Sequence, residues 1–207
     1  MDAPLASGRE ADVWALDDGR VLRRYRHGGD VAPEAAMMAY VGAAGYPVPR
    51  VYAAEGADLV MERLDGATML AALLGGRLGI ADGADLLVDL HSRLHAIPGR
   101  IVHLDLHPDN VMLTSRGPVV IDWRNAAEGP PDRDVAMTAL IMAQVTFWDD
   151  PTVAAAARAG LDAFQERADP PAHAELLHVV GMRRRNPTMT PAELAALDEA
   201  AALVRTR

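Results

Sequence analysis

Apolar and polar residues alternate over short stretches in the first third of the chain, a period-two pattern that predicts β-strands. Turn residues separate these stretches, and Asp17-Asp18-Gly19 has the composition of a tight hairpin. One helix is predicted over residues 32–44, because Met38 and Val41 lie on an apolar stripe and Gly45 ends the run. The predicted strands cover residues 5–8, 11–16, 20–25, 51–53 and 59–61.

The rest of the chain shows mainly the 3.6-residue spacing of amphipathic helices. Two apolar runs, residues 111–113 and 119–121, interrupt the helices and flank Gly117-Pro118, which predicts a β-hairpin. Strands followed mainly by helices indicate an α+β chain. The predicted helices cover residues 68–74, 82–97, 151–167, 171–184 and 191–204, and the last three begin at or near a proline.

Composition excludes several classes of function. The chain has 207 residues, half of them apolar, and no cysteine, so it has neither a disulfide framework nor a thiol nucleophile. No apolar run approaches the roughly 18 residues of a membrane span, and no signal-peptide pattern is evident, which together predict a cytoplasmic protein without membrane contact. The net charge of −9 disfavours nucleic acid as a general partner. It is a weak indication of a cationic small substrate, because solvated surface residues account for most charge of this kind.

Polar residues cluster at the open end of the predicted hairpin. If the hairpin is centred on Arg116, antiparallel pairing places Val111 beside Ile121 and Asn110 beside Asp122. An amide oxygen and a carboxylate are hard ligands of the kind that Mg²⁺ takes together with water and phosphate oxygens. Asp105 lies upstream on the same loop, and the sequence therefore predicts a magnesium site with a further carboxylate near it.

The same loop allows two other interpretations. His103, Asp105 and His107 alternate, and on a strand they would project from one face as a transition-metal site. Pro108 argues against a continuous strand, and the further His-Asp clusters of metallohydrolases are missing from the sequence. The other alternative is a structural loop whose polar groups satisfy one another.

Residues 103–110, His-Leu-Asp-Leu-His-Pro-Asp-Asn, followed by Ile121-Asp122-Trp123, resemble the aminoglycoside phosphotransferase and choline kinase family. The resemblance implies a bilobal protein-kinase-like fold with a five-stranded sheet and one helix in the first lobe and a helical second lobe. It implies lobes of residues 1–63 and 64–207, and transfer of the γ-phosphate of ATP (or GTP) to a hydroxyl of a small molecule. In this template Asp105 accepts the hydroxyl proton, while Asn110 and Asp122 hold Mg²⁺.

The resemblance assigns roles to further residues. Arg23 takes the place of the usual lysine that contacts the α- and β-phosphates, and Glu34 is its expected partner on the following helix. An arginine there could bind phosphate bidentately, or it could mark a weakened kinase, while Glu34 could merely favour the helix dipole. The remaining assignments are a nucleotide-covering turn at Ser7 and Gly8, an adenine-binding hinge at Met61, Glu62 and Arg63, and support of the site by His103, His107 and Asp134.

Other interpretations remain open. His91 and His95 have the i, i+4 spacing of metal ligands, but the family places no metal on this helix, so we expect a structural role. Gly8-Arg9-Glu10-Ala11 is similar to the loop of atypical protein kinases of the RIO and KEOPS-associated type, which suggests a protein kinase or an ATPase. Arg23 suggests a nucleotide-binding pseudokinase. The short second lobe suggests either an open substrate pocket or one completed by a second subunit in a homodimer.

Overall fold

An antiparallel sheet occupies most of the N-terminal part of the chain, as the sequence predicts. The computed structural model describes residues 3–207. The sheet has the order β1-β2-β3-β5-β4 and is formed by β1 (Ala6–Ser7), β2 (Ala11–Ala15), β3 (Arg20–Tyr25), β4 (Val51–Glu55) and β5 (Asp58–Glu62). Helix α1 (Ala32–Ala43) precedes β4 and carries a proline in its first turn. It buries Met38 and Val41, and Gly45 follows it with a left-handed φ of 83°.

The central strand of this sheet is β3, which determines where its two arginines point. Arg23 lies opposite Val13 on one side and Leu59 on the other, and its side chain is buried. Because successive strand residues face opposite ways, Arg24 turns to the other face. There it forms a part-exposed ion pair with Asp58. Of these two arginines, only Arg23 therefore has a buried side chain.

The predicted hairpin forms, but with a tighter turn than predicted and a second strand that ends at Val120. Strand β8 (Val111–Thr114) lies between β6 (Ala67–Thr68) and β9 (Gly117–Val120), and the turn consists of Ser115 and Arg116. The predicted pairing of Val111 with Ile121 and of Asn110 with Asp122 is wrong. The ladder ends at Val120 because Asp122 has a left-handed φ of 64° and a 3-10 turn, Trp123–Asn125, begins after it. Two short strands, β7 (Ile101–Val102) and β10 (Ala127–Glu128), form a separate antiparallel pair.

The remaining chain is mainly helical. The helices are α2 (Met69–Leu74), α3 (Ile80–His95), α4 (Pro131–Val145), α5 (Pro151–Arg167), α6 (His173–Arg185), α7 (Pro191–Ala195) and α8 (Leu197–Ala202). The core element is α4, in which every residue from Ala136 to Gln144 is buried, because α3, α5, α6 and α8 pack around it. The single helix predicted over residues 191–204 is wrong, since it is broken at Ala196; the second segment buries Leu197 and Ala200, whereas the first buries nothing.

The described chain divides into two compact units. One comprises the residues up to Ala67 together with Met112–Ala126, and the other comprises Thr68–Val111 together with Ala127–Arg207. The expected domain boundary near Arg63 stays a prediction. No helix within residues 3–207 is long and apolar enough to cross a membrane. The α+β architecture, with a five-stranded antiparallel sheet and one helix followed by a mainly helical part, is confirmed.

Candidate active site

The first unit contains a buried cluster built on β3 and α1. Arg23 and Tyr25 are two residues apart on β3, so their side chains share one face of the sheet. Arg23 forms an ion pair with Glu34 of α1 and donates a hydrogen bond of 2.6 Å to the hydroxyl of Tyr25. That hydroxyl donates in turn to Glu34 over 2.7 Å. The structure therefore brings together the two residues, Arg23 and Glu34, that the sequence singled out as partners.

The same cluster reaches the segment after β9. Glu34 accepts a hydrogen bond of 3.1 Å from the backbone N–H of Trp123, and Arg23 Nη1 donates to Asp122 Oδ1 over 3.2 Å. Burial alone lowers the pKa of Arg23, but the charges of Glu34 and Asp122 outweigh burial and raise it above its ordinary value. Arg23 is thus a permanent cation shared by two carboxylates, one buried and one half-exposed.

The turn predicted to cover the nucleotide lies between β1 and β2. The N–H of Gly8 donates to the carbonyl of Ala11 over 2.9 Å, which closes the turn. A hydrogen bond from Arg26, and to a smaller extent one from Ser7, lowers the pKa of Asp12 to about 2. The side chain of Ser7 therefore bonds to Asp12 at the turn. The role of Ser7 and Gly8 in covering a nucleotide stays a prediction.

The residues predicted to form the hinge lie at the end of β5. Met61 pairs with Val21 of β3 in the sheet. The N–H of Glu62 donates to the carbonyl of Arg50, and the N–H of Arg63 donates to the carbonyl of Gly19, each over 2.8 Å. Because these two N–H groups are committed to the sheet, adenine binding at the hinge would use carbonyl oxygens at these positions. That role also stays a prediction.

The second unit contains the loop that carries Asp105. The side-chain amide of Asn110 donates to the backbone carbonyl of Asp105 over 2.9 Å and to its carboxylate over 3.1 Å. His107 Nδ1 accepts the N–H of Asp109 over 3.3 Å, so in the neutral ring Nε2 carries the proton. Nε2 lies 3.6 Å from the carboxylate of Asp105. Asp105 is thus held as a part-exposed carboxylate between an amide and an imidazole.

Asp134, at the start of α4, fixes the backbone of this loop. Its carboxylate accepts the N–H of His103 over 3.0 Å and the N–H of Leu104 over 2.7 Å. Leu104 has a left-handed φ of 61°, a strained conformation for a residue with a side chain. Burial alone would raise the pKa of Asp134, but hydrogen bonds from His91, His95 and the loop backbone outweigh it and hold the pKa far below its usual range. The structure therefore places Asp134 as a buried anion under the loop.

A family model described as "phosphotransferase enzyme family" (APH) matches residues 3–100 and 84–176, which is most of the chain. The chain belongs to this phosphotransferase family. No curated protein matches it. The expected resemblance is thereby confirmed, and the kinase-like fold of the family agrees with the sheet and helices described above.

The donors present in this phosphotransferase fit Mg²⁺. The NH₂ of the Asn110 side chain points at Asp105, and this orientation leaves the amide oxygen as the atom that can bind a cation. Asp122 offers a half-exposed carboxylate. Amide and carboxylate oxygens suit Mg²⁺ better than a softer metal. The role of Asn110 and Asp122 as magnesium ligands stays a prediction.

Sequence reasoning missed Tyr25 in the first unit and Thr138 in the second, although it had named His91 and His95 for their spacing. Tyr25 shares the face of Arg23 two residues away, and that period-two spacing was the available signal. Thr138 donates to the carbonyl of Leu106 over 2.6 Å and lies four residues after Asp134, on the same face of α4. His91 and His95 lie against Asp134, and the three place ligand atoms within 4.8 Å of one another, the spacing of a possible metal site.

Proposed function

We propose that this phosphotransferase transfers the γ-phosphate of ATP (or GTP) to a hydroxyl of a small molecule, with Mg²⁺ as cofactor. The observation that carries the proposal is the arrangement of the Asp105 loop. Asn110 holds both the carbonyl and the carboxylate of Asp105, while Asp134 holds the backbone just before it. A carboxylate fixed in this way is suited to orient a hydroxyl group and accept its proton.

The proposed reaction divides among few residues. The oxygen of the substrate hydroxyl forms a bond to the γ-phosphorus, and Asp105 accepts the proton of that hydroxyl. The bond from the γ-phosphorus to the bridging oxygen breaks, and ADP (or GDP) leaves. Asn110 and Asp122 are the proposed ligands of Mg²⁺, which when bound neutralises charge on the phosphates. Arg23 is proposed to contact the α- and β-phosphates, with Glu34 as the group that orients it.

The acceptor is proposed to be a small molecule rather than a protein. Family membership supports a small-molecule kinase, and the net charge of −9 suits a cationic acceptor better than an anionic one. The substrate pocket is proposed to be either open or completed by a second subunit in a homodimer. If light scattering finds a fully active monomer, the second alternative is wrong.

The first experiment is a thermal shift with ATP and with GTP, each with and without Mg²⁺. A nucleotide at about 100 times its Kd stabilises a protein by roughly 2.7 kcal/mol, or about 5–10 °C for a chain of this size. We expect this shift to require Mg²⁺ in the wild type and to be lost in Asp122→Ala. Asp109→Asn is the matched control, since Asp109 is an exposed carboxylate beside Asn110 and should leave the shift unchanged. Transfer of labelled γ-phosphate to a panel of hydroxyl compounds then identifies the acceptor.

A second candidate function is nucleotide binding without transfer. The observation in its favour is that Arg23 already contacts two carboxylates, Glu34 and Asp122, and so offers less of its charge to phosphates. Mg²⁺-dependent nucleotide binding with no transfer to any acceptor would support it. Autophosphorylation without turnover of small molecules would instead support an atypical protein kinase.

A further inference from the structure

His91 lies where three elements of the second unit meet. It is on α3, and its ring contacts Asp134 and Thr138, which are one helical turn apart on α4. All three side chains are buried. The ring of Phe164 on α5 packs against His91 with centroids 5.8 Å apart. The role proposed above for the Asp105 loop does not use this histidine.

The two residues that His91 joins hold opposite sides of Asp105. Asp134 accepts the N–H groups of His103 and Leu104, directly before Asp105. Thr138 donates its hydroxyl proton to the carbonyl of Leu106, directly after Asp105, over 2.6 Å. The backbone around the proposed catalytic carboxylate is therefore fixed from both sides by two residues of one helix.

The hydrogen bonds determine which protons His91 carries. The one hydroxyl proton of Thr138 goes to Leu106, because a carbonyl oxygen can only accept. The contact of 3.0 Å between Thr138 Oγ1 and His91 Nε2 must then use a proton on Nε2. The other ring nitrogen, Nδ1, lies 3.5 Å from Asp134 Oδ2.

Nδ1 is buried and has no hydrogen-bond partner of normal geometry among the described residues, so the carboxylate of Asp134 is the group it faces. The other titratable groups at this place are His95, whose Nε2 lies 3.0 Å from the same carboxylate oxygen, and the buried His103 of the loop; α5 contributes the uncharged ring of Phe164. The strongly lowered pKa of Asp134 is consistent with donors on this side of the carboxylate.

We propose that His91 is a positioning residue: its ring donates from Nε2 to Thr138 and packs with Nδ1 against Asp134, and it so fixes the backbone on both sides of Asp105. This inference rests on the proposed function only in that Asp105 is taken as the catalytic base. It assigns to His91 one hydrogen bond, to Thr138, and a contact with Asp134, whereas a merely structural histidine would need only its shape.

The first test is made without substrate. Nitrogen-15 spectra of the wild-type imidazole groups, assigned by comparison with His91→Gln, should show a proton on Nε2 of His91. A ring protonated only on Nδ1 would overturn the hydrogen bond to Thr138 and with it the proposal. If one equivalent of Zn²⁺ then displaced the remaining signals of His91 and His95, the cluster would be a metal site instead.

The second test follows the loop itself. In His91→Phe, which keeps a ring against Phe164, we expect the amide of Leu104 to exchange its hydrogen at least about 10-fold faster, because Asp134 is no longer tied to Thr138. His91→Gln retains a donor for Thr138 and should lie between the two. His178→Gln, a change at an exposed histidine on α6, is the control and should not alter the exchange. Equal Leu104 exchange in wild type and His91→Phe would overturn the proposal.

The third test is kinetic. Misplacement of Asp105 should lower kcat about 10- to 100-fold in His91→Phe with little change in KM for the nucleotide, and His91→Gln should recover part of the loss. A change in KM alone would contradict positioning of Asp105. If the wild type transfers no phosphate to any acceptor, the proposed function fails, while the spectra and the exchange rates still decide the role of His91. Should His91→Phe fail to fold, His91→Gln and the wild-type spectra keep the proposal testable.

Discussion

The guanidinium of Arg23 lies 3.2 Å from the carboxylate of Asp122, a residue 99 positions later in the chain, while it also forms an ion pair with Glu34. A lysine in the same place would offer one compact charge, whereas the forked guanidinium binds both carboxylates at once. The carboxylate of Asp122 would therefore contact both Arg23 and the proposed Mg²⁺. The arginine holds this carboxylate in place, and it also lowers the negative charge that Asp122 presents to a cation.

The first prediction concerns the stability of this cluster. Arg23→Ala leaves Glu34 buried without its cation, and loss of one partner of a buried ion pair costs about 3–5 kcal/mol. We expect the free energy of unfolding, measured by urea denaturation, to fall by that amount. Arg24→Ala is the matched control on the next residue, because its pair with Asp58 is part-exposed and such pairs contribute about 0–1 kcal/mol. Equal losses in the two variants would mean that the Arg23 cluster contributes no more than a surface pair.

The second prediction concerns Asp105. Asp105→Asn keeps the size of the side chain but removes the group proposed to accept the proton. We expect kcat for phosphate transfer to fall about 10²- to 10⁴-fold, while the Kd for the nucleotide with Mg²⁺ stays within about twofold. Transfer of labelled γ-phosphate and calorimetric titration measure the two quantities. Asp109→Asn should change neither of them, and an Asp105→Asn enzyme with normal kcat would remove Asp105 from the chemistry.

The third prediction concerns acid stability. The pKa of Asp134 is far lower in the folded protein than in an unfolded chain, so the unfolded state takes up a proton first as the pH falls. The stabilisation is therefore complete above the ordinary aspartate pKa of about 4 and decreases progressively below it. We expect the free energy of unfolding to fall between pH 5 and pH 3.

The matched comparison for this prediction is between two aspartates. Asp134→Asn should flatten the fall between pH 5 and pH 3, although it also lowers stability at neutral pH. Asp12→Asn removes a carboxylate whose pKa of about 2 is set at the surface by Arg26 and Ser7, and it should keep most of the slope. A folded Asp134→Asn variant with the wild-type slope would show that other carboxylates cause the acid sensitivity.

The sequence predicted the strand and the helix of this cluster from local pattern, and the family resemblance assigned the residues on them. The predicted strand over residues 20–25 and the predicted helix over residues 32–44 agree with β3 and α1. The resemblance placed Arg23 at the usual lysine position, with Arg24 on the opposite face, and named Glu34 as the partner of Arg23. The structure brings Arg23 and Glu34 together.

The parts that were missed depend on contacts distant in sequence. Leu104 and Asp122 adopt left-handed backbone conformations that their side chains disfavour, so local propensity argues against both. At Leu104 two hydrogen bonds compensate for the backbone strain. Asp134, 30 residues later in the chain, accepts the N–H groups of His103 and Leu104. Likewise the break at Ala196 follows the burial of Leu197 rather than any proline or glycine. Such features follow from tertiary packing and cannot be obtained from spacing alone.

The last prediction concerns Gly66, which lies just before β6. Its φ is +91°, and a Cβ built there would lie 2.0 Å from the backbone oxygen of Leu113 in β8. Gly117, the first residue of β9 in the hairpin that contains Leu113, has a φ of +104° and open space around it. Gly117→Ala should therefore cost only the strain of a left-handed residue, about 1–2 kcal/mol. In Gly66→Ala the backbone itself must shift, and we expect a loss at least twofold larger, measured by urea denaturation. Similar losses would show that the approach of Gly66 to Leu113 is not a constraint on the fold, and that the two glycines are required only for their backbone angles.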